Sequence, residues 1–313
     1  MTGAVPDAAI AAELAEATVG IAPVAVTRFT TGSQHFVYEA RFAGRDPVVV
    51  RISRPEHRWL VRNASKMSRQ LRPLGVPLPE MLAGDAEAPL PYMILARLPG
   101  TDLGDVIDTL NEPQLAAIAT EVARAQAIVA QTSTAGRFGY AADPADAPRQ
   151  LFSELLADSI LRSRGRITAA DLYDLAPVEA AEAVLADLRS EADDMPATPF
   201  LHDTTTKNVI VAPDGRFSGI VDVDDLCFGD PRAPLALTTA AIMAFRAPSP
   251  YAALWMEQAG HRDDRLFRFE VALCLLDFMS EEGQVFNGNE RPSSPDIRAR
   301  LQRLYEAELA RAR

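Results

Sequence analysis

The segment Phe200–Pro231, which reads FLHDTTTKNVIVAPDGRFSGIVDVDDLCFGDP, constrains the fold of this chain more than any other stretch. It contains two short runs of β-branched residues, at 209–211 and 220–221, on either side of a PDG sequence centred on Asp214. Pro, Asp and Gly favour tight turns because they suit the backbone angles that turns require. The segment therefore predicts two strands that form a hairpin closed by a short turn.

Three polar residues belong to the open end of this hairpin. Asp203 lies in the loop before the first strand, Asn208 immediately precedes that strand, and Asp222 follows the second strand. Mg2+ prefers hard oxygen ligands and takes few of them from proteins that also hold phosphates. Asn208 and Asp222 match that demand, and Asp203 can orient a hydroxyl group and accept its proton. The pattern predicts a magnesium-dependent site for phosphoryl transfer.

A purely structural interpretation of these residues is also open. In it, Asp203 and Asn208 cap turns, while Asp222 and Asp224 are solvated. However, Asp222, Asp224 and Asp225 place three acids within four residues, which is electrostatically costly unless a cation or a basic group lies nearby. The functional interpretation is therefore favoured.

Composition limits the class of protein. At 313 residues, the chain is long for one hydrophobic core, so two subdomains are expected. The formal net charge of −12 argues against a nucleic-acid partner, because phosphate backbones attract basic surfaces. The same charge suits a cationic small molecule, or serves solubility alone. The two cysteines, Cys227 and Cys274, lack the spacing of a zinc site.

The N-terminal stretch has no basic region and carries Asp7, Glu13 and Glu16, which is unlike a signal peptide. No apolar run reaches the ~18 residues that are needed to cross a bilayer. We therefore expect a cytoplasmic protein without a membrane partner. Its oligomeric state is not indicated by the sequence.

The first hundred residues are predicted to be rich in strands. Side chains alternate between apolar and polar over 36–42, and the apolar run at 47–53, which contains Arg51, reads as a buried strand. A helix is predicted over 59–74, and a further strand over 90–98. We expect the first strands to be joined by a turn at Gly44-Arg45-Asp46.

Helices dominate the rest of the chain. Asn111 and Gln114 form a capping-box pattern at the start of one helix. Apolar residues recur at helical spacing in four later stretches, near 151–160, 178–192, 267–279 and 295–309. The predicted fold class is α+β, with a small β-rich N-terminal lobe at 1–95 and a larger helical C-terminal lobe at 96–313 that includes the hairpin.

The order of these motifs resembles a known family. D-x4-N, a hairpin, I-V-D-x-D and G-D-P are similar to motifs of the aminoglycoside phosphotransferase and choline-kinase group of small-molecule kinases. Tyr92–Leu103 looks like the segment that joins the two lobes in this family. The resemblance implies a two-lobed protein-kinase-like fold. It also implies an ATP- (or GTP-) and Mg2+-dependent kinase that phosphorylates a hydroxyl of a small molecule, such as an aminoglycoside or another amine-bearing compound.

Residue by residue, the resemblance implies that Asp203 is the catalytic base. It implies that Asn208, Asp222 and Asp224 hold the metal ion. The nucleotide would be bound by Gly32 and Ser33 over the phosphates, by Arg51 on the phosphates, and by the backbone of Ala96 and Leu98 at the adenine.

Several residues depart from the family pattern. His202 stands where glycine is usual, and His35 stands where asparagine is common. Arg51 occupies the place of a Lys or Arg that contacts phosphate, but the predicted helix at 59–74 has no acidic residue to pair with it. An alternative is therefore a nucleotide-binding pseudokinase without phosphotransfer activity. The intact Asp203, Asn208 and Asp222 argue against it.

Two weaker interpretations complete the set. The acids Asp277, Glu281 and Glu282, near the end of an apolar helix, are either substrate-binding acids or an ordinary solvated helix end. The pair His202-Asp203 also occurs in metal-dependent HD-type phosphohydrolases. Those proteins are all-helical and need further helical histidines, so the hairpin that follows the pair disfavours this class.

Overall fold

The computed structural model describes residues 6–29, 35–286, 289–290 and 293–313. By its internal contacts, the chain divides into two compact units. The first unit comprises Met1–Gly100 and Ser218–Asp225, and the second comprises Thr101–Phe217 and Leu226–Arg313. The predicted lobe boundary between residues 95 and 96 stays a prediction; by contacts, the first unit extends to Gly100 and also includes the segment that follows the hairpin turn.

The first unit is built on a five-stranded antiparallel sheet in the order β1-β2-β3-β5-β4. Its helices and strands are α1 (Ala8–Val19), β1 (Ala25–Arg28), β2 (Phe36–Phe42), β3 (Arg45–Ile52), α2 (Arg58–Leu71), β4 (Met81–Asp85) and β5 (Tyr92–Ala96).

The alternation predicted over 36–42 is confirmed in β2, and the buried strand predicted at 47–53 is confirmed as β3. Inward-facing side chains of both strands are buried and pack with Ala11 and Ala15 of α1 in one core cluster. Burial of each large apolar side chain contributes roughly 1.5–3 kcal/mol. The turn between the strands is shorter than expected, because β3 already begins at Arg45, and Gly44 supplies the left-handed backbone with φ of 70°.

Helix α2 presents an apolar face that contains Leu60, Ala64 and Leu71. It ends earlier than predicted, since residues 72–74 form a 3₁₀ turn before Gly75, whose φ is 95°. The short strand β4 has no apolar alternation, and a register shift interrupts its pairing with β5 between Met81 and Ala83. It was not predicted from the sequence.

The second unit is mainly helical. Its elements in chain order are β6 (Thr101–Asp102), α3 (Leu103–Val106), α4 (Glu112–Val129), β7 (Gly139–Ala141), α5 (Phe152–Ala170), α6 (Ala176–Asp193), β8 (Thr198–Phe200), β9 (Val209–Val211), β10 (Phe217–Ile220), β11 (Leu226–Gly229), α7 (Ala233–Phe245), α8 (Tyr251–Gln258), α9 (Arg265–Glu281), β12 (Val285–Phe286), β13 (Asn289–Glu290) and α10 (Pro295–Ala312). Strand β10 is the point at which the chain passes from the second unit into the first.

The predicted helix start at Asn111 is confirmed, because Asn111 and Gln114 exchange the two hydrogen bonds of a capping box. Helix α9 is buried over most of its surface, which explains its continuous apolar sequence. It packs against α5, α7 and α10. None of the described helices is both long and apolar enough to cross a membrane.

Two small sheets frame the loop that precedes β9. Strand β6 pairs antiparallel with β9, with Thr101 opposite Val211. Strand β11 lies between β7 and β8. The turn after β9 is confirmed where it was predicted: the N–H of Ala212 donates to the carbonyl of Arg216 at 2.8 Å, and Gly215 takes a φ of 83°. The loop at 201–208 is thus anchored by β8 before it and β9 after it.

Candidate active site

The loop between β8 and β9 brings Asp203 and Asn208 together. The backbone N–H groups of Asn208 and Val209 donate to the carbonyl of Thr205 at 3.0 and 3.2 Å, which closes a tight turn. The side-chain amide of Asn208 donates to the backbone carbonyl of Asp203 at 2.8 Å. The Thr205 hydroxyl donates to the Asp203 carboxylate at 3.2 Å. The two residues predicted as base and metal ligand therefore share one locally closed loop.

Gln126 of α4 holds this loop from the interior and was not predicted from the sequence. Its side chain is buried, with a relative exposure of 6%. The Gln126 amide donates to the carbonyl of Leu201 at 2.8 Å and to the hydroxyl of Thr204 at 2.5 Å, and its oxygen accepts from the N–H of Leu201 at 3.0 Å. The sequence does contain a signal for this role, because Gln126 lies in the apolar stripe between Val122 and Val129. A buried amide needs hydrogen-bond partners, so a glutamine at such a position indicates polar contacts inside the protein.

A second support comes from the segment that follows β6. The N–H of Gly104 donates to the carbonyl of Thr206 at 2.8 Å. The guanidinium of Arg246 donates to the carbonyl of Gly104 at 2.5 Å. A Cβ atom on Gly104 would lie 2.5 Å from the guanidinium of Arg246, so the end of that side chain would have to shift to accommodate a larger residue. Thr206 is thereby fixed two residues before Asn208.

His202, which stands at a glycine position of the resembled family, packs against an aromatic ring. The rings of His202 and Tyr140 lie 5.0 Å apart in an edge-to-face arrangement. Tyr140 lies on β7, beside the strand β11 that also pairs with β8. The ring contact with Tyr140 gives His202 a packing role next to Asp203.

In the first unit, the last residues of β10 lie close to Pro77 and Leu98. The N–H of Ile220 donates to the carbonyl of Pro77 at 2.9 Å. A Cβ atom on Gly219 would lie 2.6 Å from that carbonyl and 2.7 Å from Leu98. Asp222, two residues after Ile220, adopts a left-handed backbone with φ of 65°. Such a conformation costs a non-glycine residue about 1 kcal/mol or more, and it is a common mark of functional sites.

Arg51 lies beside the acids of this segment. Its guanidinium donates to the Asp222 carboxylate at 2.6 Å and lies 3.4 Å from the Asp224 carboxylate. Burial opposes the charge of Arg51, but the neighbouring carboxylates of Asp224 and Asp222 outweigh this effect and raise the guanidinium pKa. Arg51 therefore remains charged inside the first unit.

His35 extends this network. Its Nε2 atom lies 3.1 Å from the Asp224 carboxylate, and its Nδ1 atom lies 2.8 Å from the Ser53 hydroxyl. One ligand atom each from His35, Asp222 and Asp224 can be chosen so that all lie within 4.8 Å of one another. The first unit thus gathers four of the residues singled out in the sequence: His35, Arg51, Asp222 and Asp224.

Of the other residues expected to bind the nucleotide, the structure describes Ala96 and Leu98. Gly32 and Ser33 lie outside the described residues. Ala96 ends β5, and its N–H donates to the carbonyl of Glu80 at 2.8 Å, so that donor already has a partner within the first unit. The carbonyl of Leu98 accepts a hydrogen bond from the guanidinium of Arg97. Contact of Ala96 and Leu98 with adenine stays a prediction.

The donor atoms of the predicted metal ligands fit a hard cation. Because the Asn208 nitrogen donates to Asp203, its amide oxygen is the atom left for a metal ion. The Asp222 side chain is 50% exposed and offers carboxylate oxygens, whereas that of Asp224 is 14% exposed. Oxygen ligands of this kind suit Mg2+.

Two of the three acids that were considered for binding a cationic substrate, Asp277 and Glu281, have basic partners. Asp277 accepts from Arg162 at 3.2 Å and from Arg166 at 3.0 Å. Glu281 lies 3.8 Å from Arg166, and Glu282 is buried with 4% exposure. Asp277 and Glu281 thus pair with arginines of α5, so the substrate-binding interpretation of these two acids loses its support.

A β-sheet N-terminal region followed by a helical region, with an Asp–Asn loop in the latter, defines a kinase-like fold. The sequence profile of the phosphotransferase enzyme family matches residues 25–268. The chain therefore belongs to the phosphotransferase enzyme family, in agreement with the resemblance of its motifs.

Solved structures with the same fold include aminoglycoside phosphotransferases. A thermostable mutant of APH(4)-Ia in its apo form is 19% identical, with a TM-score of 0.65, and the match covers 96% of this chain and 98% of that chain. The streptomycin-ATP-APH(2")-IIa ternary complex is 13% identical, with a TM-score of 0.64 and coverage of 98% and 97%. A putative aminoglycoside phosphotransferase from Ralstonia eutropha JMP134 is 16% identical, with a TM-score of 0.62 and coverage of 94% of both chains. No curated protein shows a significant sequence match.

Proposed function

We propose that this protein transfers the γ-phosphoryl group of ATP to a hydroxyl group of a small molecule, with Mg2+ as its cofactor. The observation that carries the proposal is the closed loop in which the Asn208 amide is hydrogen-bonded to the backbone of Asp203. Membership in the phosphotransferase enzyme family supports it. We expect the reaction to take place in the cytoplasm.

Asp203 acts as the catalytic base in this proposal. Its carboxylate orients the acceptor hydroxyl and takes the proton as the new P–O bond forms and the bond to the leaving ADP breaks. The Thr205 hydroxyl, which donates to the same carboxylate, limits its rotation. Asn208 and Asp222 would hold Mg2+, with Asp224 close to it. When bound, the metal ion neutralises charge that develops on the phosphate oxygens.

Arg51 supplies a permanent positive charge for the nucleotide phosphates. A guanidinium can bind two phosphate oxygens at once, unlike the ammonium of lysine. Structures of relatives hold nucleotides: an APH(4)-Ia mutant was solved as a ternary complex with ADP and hygromycin B. By analogy, we propose ATP or GTP as the donor for this chain.

The acceptor is proposed to be a small molecule with an amine, as in the complexes of relatives with hygromycin B and streptomycin. The formal net charge of −12 supports a cationic ligand. Asp277 and Glu281 do not contribute to this support, because arginines of α5 already lie beside them.

A screen for ADP formation tests the proposal. The full chain is incubated with ATP and Mg2+ and with one acceptor at a time from four classes: aminoglycosides, macrolides, amino alcohols and sugars. We expect acceptor-dependent ADP release that disappears when Mg2+ is removed with a chelator. Release that is the same with and without every acceptor contradicts phosphoryl transfer to these hydroxyl compounds.

A nucleotide-binding pseudokinase is the second candidate. It is favoured by the 2.6 Å contact between Arg51 and Asp222, because the guanidinium occupies a carboxylate that Mg2+ needs. Thermal unfolding separates the two candidates. An ATP-induced rise in melting temperature that requires Mg2+, without turnover in any part of the screen, supports the pseudokinase.

A further inference from the structure

We propose that Asp224, oriented by His35, is the residue that positions Arg51 for the nucleotide phosphates, in place of an acidic partner on α2. The inference deepens the proposed function and rests on it. It assigns Asp224 as a positioning residue rather than as a metal ligand, and it gives His35 and Ser53 a role in nucleotide binding.

Helix α2 contains no acidic residue that could pair with Arg51. Its sequence is RWLVRNASKMSRQL, and its charged residues are all basic. Arg58 and Arg62 of this helix bind Glu87, at 3.3 and 2.6 Å. Helix α2 therefore adds positive charge near its own surface and cannot neutralise a buried guanidinium.

Arg51 nevertheless requires a fixed anion. Its side chain is 8% exposed, and a buried charge without a partner is strongly unfavourable. The described contacts supply two carboxylates, those of Asp222 and Asp224, and both belong to the segment that follows β10. The anchor of Arg51 thus lies about 170 positions away in sequence rather than on the neighbouring helix.

The two carboxylates differ in how firmly they are held. The Asp222 side chain is 50% exposed, whereas the Asp224 side chain is 14% exposed. His35 contacts Asp224 through Nε2 and Ser53 through Nδ1. A neutral His35 with its proton on Nε2 satisfies both contacts, because it donates to the carboxylate and accepts from the Ser53 hydroxyl. Ser53 and His35 are buried, and through them the partly buried Asp224 carboxylate is held beside Arg51.

Because of this difference, the two acids can have separate roles, Asp222 at the cation and Asp224 at Arg51. When Asp222 turns to a cation, Arg51 loses its 2.6 Å contact but keeps a partly buried anionic partner in Asp224. The guanidinium therefore stays in place and charged, with its remaining N–H groups available for phosphate oxygens. A metal ion on His35, Asp222 and Asp224 is the competing possibility, but it would place a second positive charge beside the guanidinium of Arg51.

A double-mutant cycle tests the inference on the full chain. The dissociation constant of a non-hydrolysable ATP analogue with Mg2+ is measured by titration calorimetry for the wild type, Asp224→Asn, Arg51→Met and the double variant. We expect Asp224→Asn to weaken binding about tenfold, and we expect this loss to vanish in the Arg51→Met background, because Asp224 acts through Arg51. His35→Ala weakens binding by about threefold, again only when Arg51 is present.

Two further variants separate positioning from general damage. Asp224→Glu retains the carboxylate and is expected to recover most of the lost affinity. Glu87→Gln is the matched control, because it removes another carboxylate that pairs with arginines of the first unit; its dissociation constant should equal that of the wild type. Melting curves of each variant confirm that the protein remains folded.

The outcomes are distinct. An affinity loss in Asp224→Asn that is equally large with Arg51→Met present overturns the inference. If that loss is accompanied by weaker Mn2+ binding in electron paramagnetic resonance titrations without nucleotide, Asp224 is a metal ligand instead. If the wild-type protein binds no nucleotide, both this inference and the proposed function are overturned. If the affinity losses of Asp224→Asn and Arg51→Met simply add in the double variant, this inference alone is overturned.

Discussion

Glu270 carries a buried carboxyl group on α9, and among the described residues neither of its oxygens has a hydrogen-bond partner. Burial raises its pKa well above the ordinary value of 4.5. The charges of Asp230 and Asp264 raise it further, while Arg232 lowers it. A carboxyl group in this environment is neutral at pH values where an exposed glutamate is ionised.

The contribution of Glu270 to the stability of the protein should therefore fall as pH rises above 4.5. The unfolded chain loses the proton near pH 4.5, whereas the folded protein keeps it to a higher pH. Between these values the folded state binds more protons, so each pH unit removes at most about 1.4 kcal/mol of stability for this one group. Glu270→Gln cannot ionise, so we expect its unfolding free energy to decline less steeply with pH than that of the wild type.

Urea unfolding at a series of pH values from about 5 to about 8 measures this difference. Glu257→Gln is the matched control, because Glu257 is exposed on α8 and should leave the wild-type slope unchanged. Parallel slopes for the wild type and Glu270→Gln would show that Glu270 is not held neutral in the folded protein.

At the scale of elements, Gln126 couples α4 to the loop that carries Asp203. Gln126→Leu removes three hydrogen bonds and leaves the N–H of Leu201 buried without its partner, at a cost of about 1–3 kcal/mol. The loop should then sample positions away from the productive one. We expect faster amide hydrogen exchange at Leu201 and roughly 10-fold or greater loss of turnover, because small displacements of a catalytic group are costly.

Mass-resolved hydrogen exchange of the peptide that covers 201–208 checks this expectation. Gln131→Leu serves as the control, since Gln131 is exposed and its amide binds the carbonyl of Ala127 within the same stretch of chain. If exchange in 201–208 is the same in Gln126→Leu as in the control, Gln126 does not support the loop.

The sequence predicted the elements whose pattern is local. The alternation of β2, the capping box at Asn111 and the turn at Asp214 follow from neighbouring residues, and all three are confirmed. Strands β4, β6, β7, β8 and β11 were not predicted. Each has two to five residues, too few for a periodic signal, and all of them except β4 pair with a segment that is distant in sequence.

For the candidate site, too, the sequence predicted local arrangements but not contacts between distant segments. Asp203 and Asn208 are five residues apart, and one closed loop brings them together. The contact between Arg51 and Asp222 spans 171 positions, and no local pattern indicates it. The substitution of His35 was visible in the sequence, but its position between Ser53 and Asp224 required the structure.

At the scale of the whole molecule, the proposed residues belong to two different units. The first unit contains Arg51, Asp222 and Asp224, and the second contains Asp203 and Asn208. Each group is ordered by contacts within its own unit, the first through His35 and the second through Gln126. The proposed phosphoryl transfer would need both groups of residues, so a measurement of activity tests both groups at once.

The transfer of phosphate by Asp203→Asn, compared with the wild type, tests the central claim most directly. Turnover is followed as ADP release with the acceptor from the screen, and Asp214→Asn in the exposed turn after β9 is the matched control. We expect a loss of roughly 10²- to 10⁴-fold for Asp203→Asn, with nucleotide affinity unchanged, and no loss for Asp214→Asn. Full turnover by Asp203→Asn would contradict its role as the catalytic base.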